Sequence, residues 1–131
     1  MTTEIKQSGE LDGAFAEHGF CLLHVGVNCS DAEQSMAMAQ KMAFLFGFAI
    51  RERPNSNFAG IGFEFMKKPD LGEKGHIAIG TYDVARAAAF LEQRGIRSIP
   101  GTERYDDDGG MRRVYLDFDM LGFAVHLRKH P

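Results

Sequence analysis

The sequence contains two copies of one local pattern, a histidine-bearing strand followed by a helix that ends at a glycine. The first copy runs from "LHVGV" to Gly47 and the second from "GHIAI" to Gly95. Superposing the two strands aligns His24 with His76, 52 positions further along the chain. A repeat of this length favours an internal duplication, in which each copy is one supersecondary unit and neighbouring units share a core.

Each copy continues with further short strands, so that each half reads strand–helix–strand–strand–strand. The first half adds "FAIRERP" and one or two strands within "FAGIGFEFMK", with "NSN" as a turn. The second half adds "IRSIPGT", "RRVYLDFD" and "FAVHLRK", with the charged loop "ERYDDDGG" between the first two. The connector "KPDLGEKG" separates the halves. The sequence therefore predicts an α+β fold of two βαβββ modules, at about residues 20–67 and 75–130.

Local signals predict where both helices begin and end. In "SDAE" the Ser30 hydroxyl can cap the first helix while Glu33 reaches back, and Gly47 is the expected C-cap. Thr81 or Asp83 caps the second helix. The residues at helical spacing in the first helix are Ala32, Met36, Ala39, Met42, Ala43 and Phe46. The predicted buried stripe of the second helix is Val84, Ala87, Ala88 and Leu91.

Side chains alternate across a strand, which separates the two faces of the histidine-bearing strands. The β-branched face, predicted to pack on the helices, contains Val25, Val27, Ile77 and Ile79. The other face carries His24 and His76, each followed two positions later by a small residue, Gly26 or Ala78. This face therefore has room beside each imidazole.

The closing strand of each half, "GFEFM" or "FAVHL", shows the same alternation. Glu64 and His126 take equivalent positions, 62 residues apart, on the face away from the helices. The helix-side residues of these strands are Phe63, Phe65, Val125 and Leu127. Four equivalent positions therefore hold two aligned histidines, one glutamate and a third histidine on a common face.

At these residues the sequence resembles the vicinal oxygen chelate superfamily, the group of glyoxalases, bleomycin-resistance proteins and extradiol dioxygenases. "GHIAIGTYDVARAAAFLEQRG" looks like the opening of that family's second module, and "YLDFDMLGFAVHL" looks like its closing hairpin. The resemblance covers about residues 20–128. It implies one glyoxalase-like domain over residues 20–131, in which the modules form a curved mixed sheet. Residues 1–19 are predicted to be a tail or a short helix.

The resemblance also implies a metal centre. Ligands in this family come from the first and fourth strands of each module, and the matching positions here are His24, Glu64, His76 and His126. Many metal-binding members have a glutamate where this chain has His126. Three imidazoles and one carboxylate favour zinc, nickel, cobalt, iron or manganese over calcium or magnesium, which prefer oxygen ligands. A divalent cation would also compensate a carboxylate buried among histidines.

The predicted function is that of a metal-dependent lyase, isomerase or dioxygenase-type enzyme acting on a small oxygenated molecule. Glu64 is the carboxylate that could double as a catalytic base. Arg113 and Tyr115, which alternate on "RRVYLDFD", are candidates for holding a carboxylate or phosphate of the substrate. The alternative is a solvated charge beside a packed aromatic ring. The other class of function is a non-catalytic small-molecule-binding protein like the antibiotic-resistance members.

A narrower resemblance links "FAGIGFEFMK" and "GHIAIGT" to small family members associated with bacterial keto-hydroxyglutarate/keto-deoxy-phosphogluconate aldolases. It implies a third alternative, an accessory domain related to a sugar-acid aldolase. At 131 residues the chain is shorter than a (β/α)₈ barrel, which typically has about 250 residues. An aldolase active site is therefore not expected within it.

The composition limits which binding partners and which cellular compartment are expected. A net charge of −3 argues against nucleic acid and anionic membranes, and no apolar run reaches the ~20 residues that span a bilayer. The N-terminal residues lack a signal-peptide pattern, which predicts a cytoplasmic protein.

Cys21 and Cys29 lie at opposite ends of one strand. They would be ~26 Å apart and are predicted to be reduced thiols. Family members commonly dimerise, and the connector Lys68–Gly75 would permit exchange of modules, so a homodimer is expected.

Overall fold

The computed structural model describes residues 13–131, which form three helices and eight strands. The helices are α1 (Gly13–Ala16), α2 (Ala32–Phe46) and α3 (Val84–Gln93). The strands are β1 (Cys21–Asn28), β2 (Ile50–Glu52), β3 (Ser56–Ala59), β4 (Phe63–Met66), β5 (Gly75–Thr81), β6 (Arg104–Tyr105), β7 (Met111–Met120) and β8 (Phe123–Lys129). The short helix α1 falls within the predicted N-terminal segment, and residues 1–12 lie outside the described residues. None of the helices in residues 13–131 is long and apolar enough to cross a membrane.

The order of the elements confirms the predicted duplication. The first half runs β1-α2-β2-β3-β4 and the second β5-α3-β6-β7-β8, so each is a βαβββ module. The strands form one mixed sheet of order β2-β3-β4-β1-β5-β8-β7-β6. β1 pairs with β4 in parallel, whereas β2–β3, β3–β4 and β6–β7 are antiparallel. The chain is therefore an α+β protein with a mixed sheet, as predicted.

One strand of the second module was predicted at the wrong place. The segment "IRSIPGT" forms only an isolated bridge, between Ser98 and Leu116, and the strand lies at β6, within the predicted charged loop. The amide of Ile99 still donates to the carbonyl of Tyr115, at 2.8 Å. Pro100, which follows, has no N–H to donate, and Gly101 turns the chain at a φ of 87°. The pairing with β7 therefore stops and resumes after the turn.

The described residues group into two compact units, each defined by the contacts among its own residues. One contains residues 13–22, 79–117 and 127–131, and the other contains residues 23–78 and 118–126. The four predicted metal ligands all belong to the second unit, while Arg113 and Tyr115 belong to the first.

The apolar core of the second unit lies between α2 and the strands of the first module. Ala39 of α2 is completely buried and packs with Phe65 of β4. The other residues of this cluster are Cys29 and Ala59, with Val27, Met42 and Phe63 packed against it. The predicted helix-side positions of β1 and β4 are thus confirmed at Val27, Phe63 and Phe65. The face that carries His24 and Glu64 points the other way.

A buried polar contact, which the sequence did not indicate, also joins α2 to the sheet. The Ser35 hydroxyl donates to the carbonyl of Phe65 at 2.6 Å and accepts from the side-chain amide of Asn57 at 3.0 Å. Ser35 and Asn57 are both fully buried. The Ser35 hydroxyl and the side-chain N–H group of Asn57 are therefore paired, whereas Asn57 Oδ1 is buried without a hydrogen-bond partner among residues 13–131.

The helix ends follow the predicted chemistry with one shift. Asp31, not Ser30, is the N-cap of α2, and its carboxylate accepts from the Gln34 amide at 2.8 Å. The side chain of Gln34 reaches back to the Ser30 amide at 2.7 Å, so the reciprocal pair lies one residue later than predicted. Gly47 is the C-cap in the left-handed region, at a φ of 75°, as predicted. Asp83 is the N-cap of α3.

We expect Asp31→Ala to lower the free energy of unfolding by about 1 kcal/mol, because the first turn of α2 loses its acceptor. Asp31→Asn keeps an acceptor oxygen and should stay close to the wild type. Urea denaturation of the two variants and of Ser30→Ala measures these effects. A larger loss in Ser30→Ala than in Asp31→Ala would contradict this cap assignment.

Candidate metal centre

Four strands contribute one side chain each to a buried polar cluster. His24 lies on β1, Glu64 on β4, His76 on β5 and His126 on β8. The three histidines are 8%, 3% and 2% exposed, and the Glu64 side chain is 16% exposed. The structure therefore brings all four sequence-predicted ligands together, away from the apolar core under α2.

Three of the four side chains meet at nearly equal distances. His24 Nε2 and His76 Nε2 are 3.2 Å apart, and Glu64 Oε1 lies 3.2 Å from the first and 3.0 Å from the second. Neighbouring ligand atoms on one ion with bonds of about 2.1 Å are separated by about 3.0–3.4 Å. The triangle of Nε2, Nε2 and Oε1 atoms thus has the size of one face of a coordination sphere.

His126 completes the set of imidazoles. One ligand nitrogen from each of His24, His76 and His126 lies within 4.8 Å of the others. Two ligand atoms on opposite sides of an ion with bonds of about 2.1 Å are about 4.2 Å apart. The spacing of the three nitrogens is therefore close to the width of one coordination sphere.

Hydrogen bonds cannot account for all three close contacts between these atoms. Each Nε2 carries at most one hydrogen and a carboxylate oxygen carries none, so at most two hydrogens are available for the three close contacts. A divalent ion can accept a lone pair from all three atoms at once. The chemistry of the donor set therefore fits a transition-metal ion.

Glu64 is held ionised by its neighbours. Burial by itself raises the pKa of its carboxyl, but hydrogen bonds from His24, His76 and Ser56, together with the charge of His24, outweigh burial and hold that pKa well below its usual range. The Ser56 hydroxyl donates to Oε2 at 2.7 Å, which leaves Oε1 facing the two imidazoles. The carboxylate is thus oriented as a ligand through one oxygen.

Sequence reasoning missed Ser56. Its segment was interpreted as the turn "NSN", whereas Ser56 begins β3 and is 2% exposed. The antiparallel pairing of β3 with β4 places it beside the glutamate strand. A serine in a three-residue polar stretch gives no local signal for this role, which depends on the pairing of the two strands.

Gly26 is the small residue that makes space for the site. It lies opposite Glu64 in the β1–β4 pairing, and a Cβ atom placed on it would collide with the imidazole of His76. The equivalent residue of β5, Ala78, is completely buried and carries its methyl group there. The room predicted beside the histidines is therefore needed on β1, where only glycine lets the His76 ring occupy its position.

Arg113 and Tyr115 lie in the other compact unit, on β7. The Arg113 guanidinium carbon is 5.1 Å from the centroid of the Tyr115 ring, and the tyrosine is 2% exposed. Within residues 13–131 Arg113 Nε is buried without a hydrogen-bond partner. The two side chains thus form a cation–π pair, and their role toward a substrate stays a prediction.

We expect Gly26→Ala to weaken metal binding by about tenfold or more, because the new methyl group displaces the His76 ring while all four ligands remain. Gly62→Ala is the matched control, since a Cβ atom on Gly62 would meet nothing within 4 Å. Metal titration by calorimetry measures both variants. Equal affinities in Gly26→Ala and Gly62→Ala would contradict this role of Gly26.

The comparisons with known proteins agree on the fold. The sequence matches no protein-family model and no curated protein. Methylmalonyl-CoA epimerase from Streptomyces coelicolor superposes with a TM-score of 0.58, at 19% identity, over 83% of this chain and 93% of the epimerase. The methylmalonyl-CoA epimerase of Mycobacterium tuberculosis superposes with a TM-score of 0.61, at 15% identity, over 84% and 87% of the two chains.

An extradiol enzyme has the same architecture. Homoprotocatechuate 2,3-dioxygenase from Arthrobacter globiformis superposes with a TM-score of 0.53, at 15% identity, over 83% of this chain and 35% of the dioxygenase. The described chain shares its α+β architecture with these solved structures. The chain therefore has the glyoxalase/dioxygenase fold that its motifs predicted.

Proposed function

We propose that the protein is a metal-dependent enzyme that acts on a small oxygenated molecule. The observation that carries this proposal is the triangle of His24 Nε2, His76 Nε2 and Glu64 Oε1, with sides of 3.2, 3.2 and 3.0 Å. Its atoms are two imidazole nitrogens and one carboxylate oxygen, with a third imidazole, His126, beside them. This donor set selects zinc, nickel, cobalt, iron or manganese.

His24, Glu64, His76 and His126 would hold the ion. A bound divalent ion supplies Lewis acidity toward the oxygen atoms of a substrate. The ligands carry one negative charge, so the centre keeps a formal charge of +1. A site with two glutamates would be neutral, and the extra positive charge here strengthens the attraction for an anionic or chelating substrate.

Among the reaction types we propose proton transfer beside a carbonyl group, the isomerase type. With four protein ligands, a six-coordinate ion keeps two open positions, enough for two substrate oxygens but not for O₂ as well. The solved structures with a similar fold include methylmalonyl-CoA epimerases, which support the same class. Dioxygenase chemistry would need one protein ligand to leave.

Glu64 has two possible roles in such a reaction. Its lowered pKa keeps it ionised at neutral pH, which suits a metal ligand. The same lowering weakens it as a base, since a base works best when its pKa is near the operating pH. We therefore propose that Glu64 first holds the ion and that any proton it accepts from the substrate depends on its Oε1 leaving the ion.

Metal content tests the proposal directly. Protein purified without a chelator or a nickel column should contain about one transition-metal ion per chain. Removing the ion with a chelator should lower the melting temperature, since the ion binds only the folded protein. The opposite result is protein that contains no ion and has the same melting temperature with and without added zinc, manganese or iron. Such a protein would instead be a non-catalytic binding protein, or a domain of the predicted aldolase-associated type.

His126 is the ligand that departs from the commoner glutamate, and two variants test it. If it binds the ion, His126→Ala should lose the ion or bind it about tenfold more weakly, while His126→Glu should retain it because a carboxylate restores a ligand. Metal content and melting temperature measure both.

A His126 that does not bind the ion would give a different pattern of metal content and stability. If His126 only packs in the core, His126→Ala keeps a full complement of metal with a modest loss of stability. His126→Glu is then the less stable variant, because it buries an unpaired carboxylate. This outcome would reduce the centre to His24, Glu64 and His76.

We also propose that the protein is a homodimer. Large apolar side chains are exposed around the end of α2 and at Ile61, with Phe44 88%, Phe46 62% and Ile61 87% exposed. Exposed apolar residues in such numbers mark an interaction surface. β2 is also an edge strand of the sheet. A second copy of the chain could cover both.

Light scattering at micromolar concentration should give twice the chain mass of 14.5 kDa. The double variant Phe44→Asp/Ile61→Asp should shift the protein to a monomer, because it places charges on the proposed interface. The matched control is Leu121→Asn, which replaces a side chain that is also 88% exposed and has a φ of 53° that asparagine tolerates. A monomeric wild type would refute the proposal.

A further inference from the structure

An exposed thiol lies beside an imidazole that is not one of the proposed metal ligands. Cys21 begins β1 and is exposed. Its Sγ lies 3.9 Å from Nδ1 and 3.8 Å from Nε2 of His130, a residue 109 positions away. Both residues belong to the same compact unit. A nucleophile and a base that are remote in sequence therefore meet at the protein surface.

The imidazole is oriented by its own contacts. His130 Nε2 is 2.9 Å from the carbonyl oxygen of Gly19. A carbonyl only accepts, so this contact places the ring proton on Nε2 and leaves a lone pair on Nδ1. The backbone amide of His130 donates to the Thr81 carbonyl at 3.0 Å, and the Tyr82 ring packs 5.1 Å from the imidazole. These contacts hold an acceptor nitrogen next to the thiol.

We propose that Cys21 and His130 form a thiol–imidazole pair that makes Cys21 a site of mixed-disulfide formation with low-molecular-weight disulfides. A nucleophile, a base within reach and a third group that orients the base are the features of an activated nucleophile. Here the third group is the Gly19 carbonyl. This site is independent of the proposed metal-dependent activity.

The chemistry needs no group beyond the disulfide itself. His130 Nδ1 accepts the thiol proton, and the Cys21 sulfur attacks one sulfur of the disulfide. The bond between the two disulfide sulfurs breaks as the new bond to Cys21 forms. The departing sulfur takes the proton from the imidazolium and leaves as a thiol. The His130 ring returns to its neutral form.

Cys29 provides an internal contrast. It is 5% exposed, and its thiol donates to the Val27 carbonyl at 3.7 Å. Burial, and then the negative charge of Asp31, raise the pKa of this thiol. A buried thiol that stays protonated is a poor nucleophile, so Cys29 should remain inert in the folded protein.

The test uses the aromatic disulfide 5,5′-dithiobis(2-nitrobenzoate) at neutral pH. In folded wild-type protein one thiol should react rapidly, and Cys21→Ser should abolish this phase while Cys29→Ser leaves it unchanged. His130→Asn should slow the reaction of Cys21 by about tenfold or more, since a general base commonly contributes 10²- to 10⁴-fold. His130→Gln should slow the reaction to a similar extent, because its longer side chain can place an amide N–H where Nε2 lies and keep the contact with the Gly19 carbonyl while removing the base.

Reaction rates of the denatured proteins show whether the effect of His130 requires the folded thiol–imidazole pair. In urea, wild type and His130→Asn should react at the same rate, because the pair no longer exists. Treatment of the folded protein with oxidised glutathione should add one glutathione to Cys21, as peptide mass spectrometry can locate. Equal rates for folded wild type and folded His130→Asn, or faster reaction at Cys29 than at Cys21, would overturn the proposal.

Discussion

A carboxylate buried among imidazoles is the interaction around which the second compact unit is arranged. Glu64 would be costly to bury alone, because an ionised carboxyl loses its hydration. His24 and His76 approach its Oε1 at 3.2 and 3.0 Å, and Ser56 holds its Oε2 at 2.7 Å. Each partner comes from a different strand, so the charge is compensated only when all of these strands are in register.

The same register separates polar chemistry from the apolar core. Because side chains alternate, the strand that presents Glu64 on one face presents Phe63 and Phe65 on the other, where α2 packs. Ala39, fully buried on that helix, lets the helix approach the sheet closely. Slipping β4 by one residue would place a carboxylate in the core and a phenylalanine among the histidines. The core and the candidate site therefore stabilise the same alignment.

Close packing at the site also explains the small residue on β1. His76 reaches over from β5 and occupies the volume that a side chain at Gly26 would take. A glycine is usually considered for its backbone freedom, but here its lack of a Cβ atom matters more. Cys21 at the start of the same strand shows the opposite situation, an exposed side chain whose neighbour His130 comes from the far end of the chain.

Much of the architecture could be predicted because its signals are local or periodic. The periodicity of apolar residues predicted the strands and helices of both modules, and Gly47 predicted the end of α2. The alternation of side chains along the closing strands aligned Glu64 with His126. The errors have physical causes. The N-cap of α2 moved by one residue because Asp31 and Ser30 are both good caps, and Pro100 interrupted a predicted strand that resumes at β6.

The sequence by itself determined which residues share a face, since alternation within a strand is a property of the backbone. It thereby placed four potential ligands on a common side of the sheet. Only the tertiary structure decided the distances between them, the contact of Ser56 with Glu64 and the approach of His130 to Cys21. These contacts join strands that are remote in the chain or paired across a turn. Their geometry depends on strand order and packing, which no local pattern encodes.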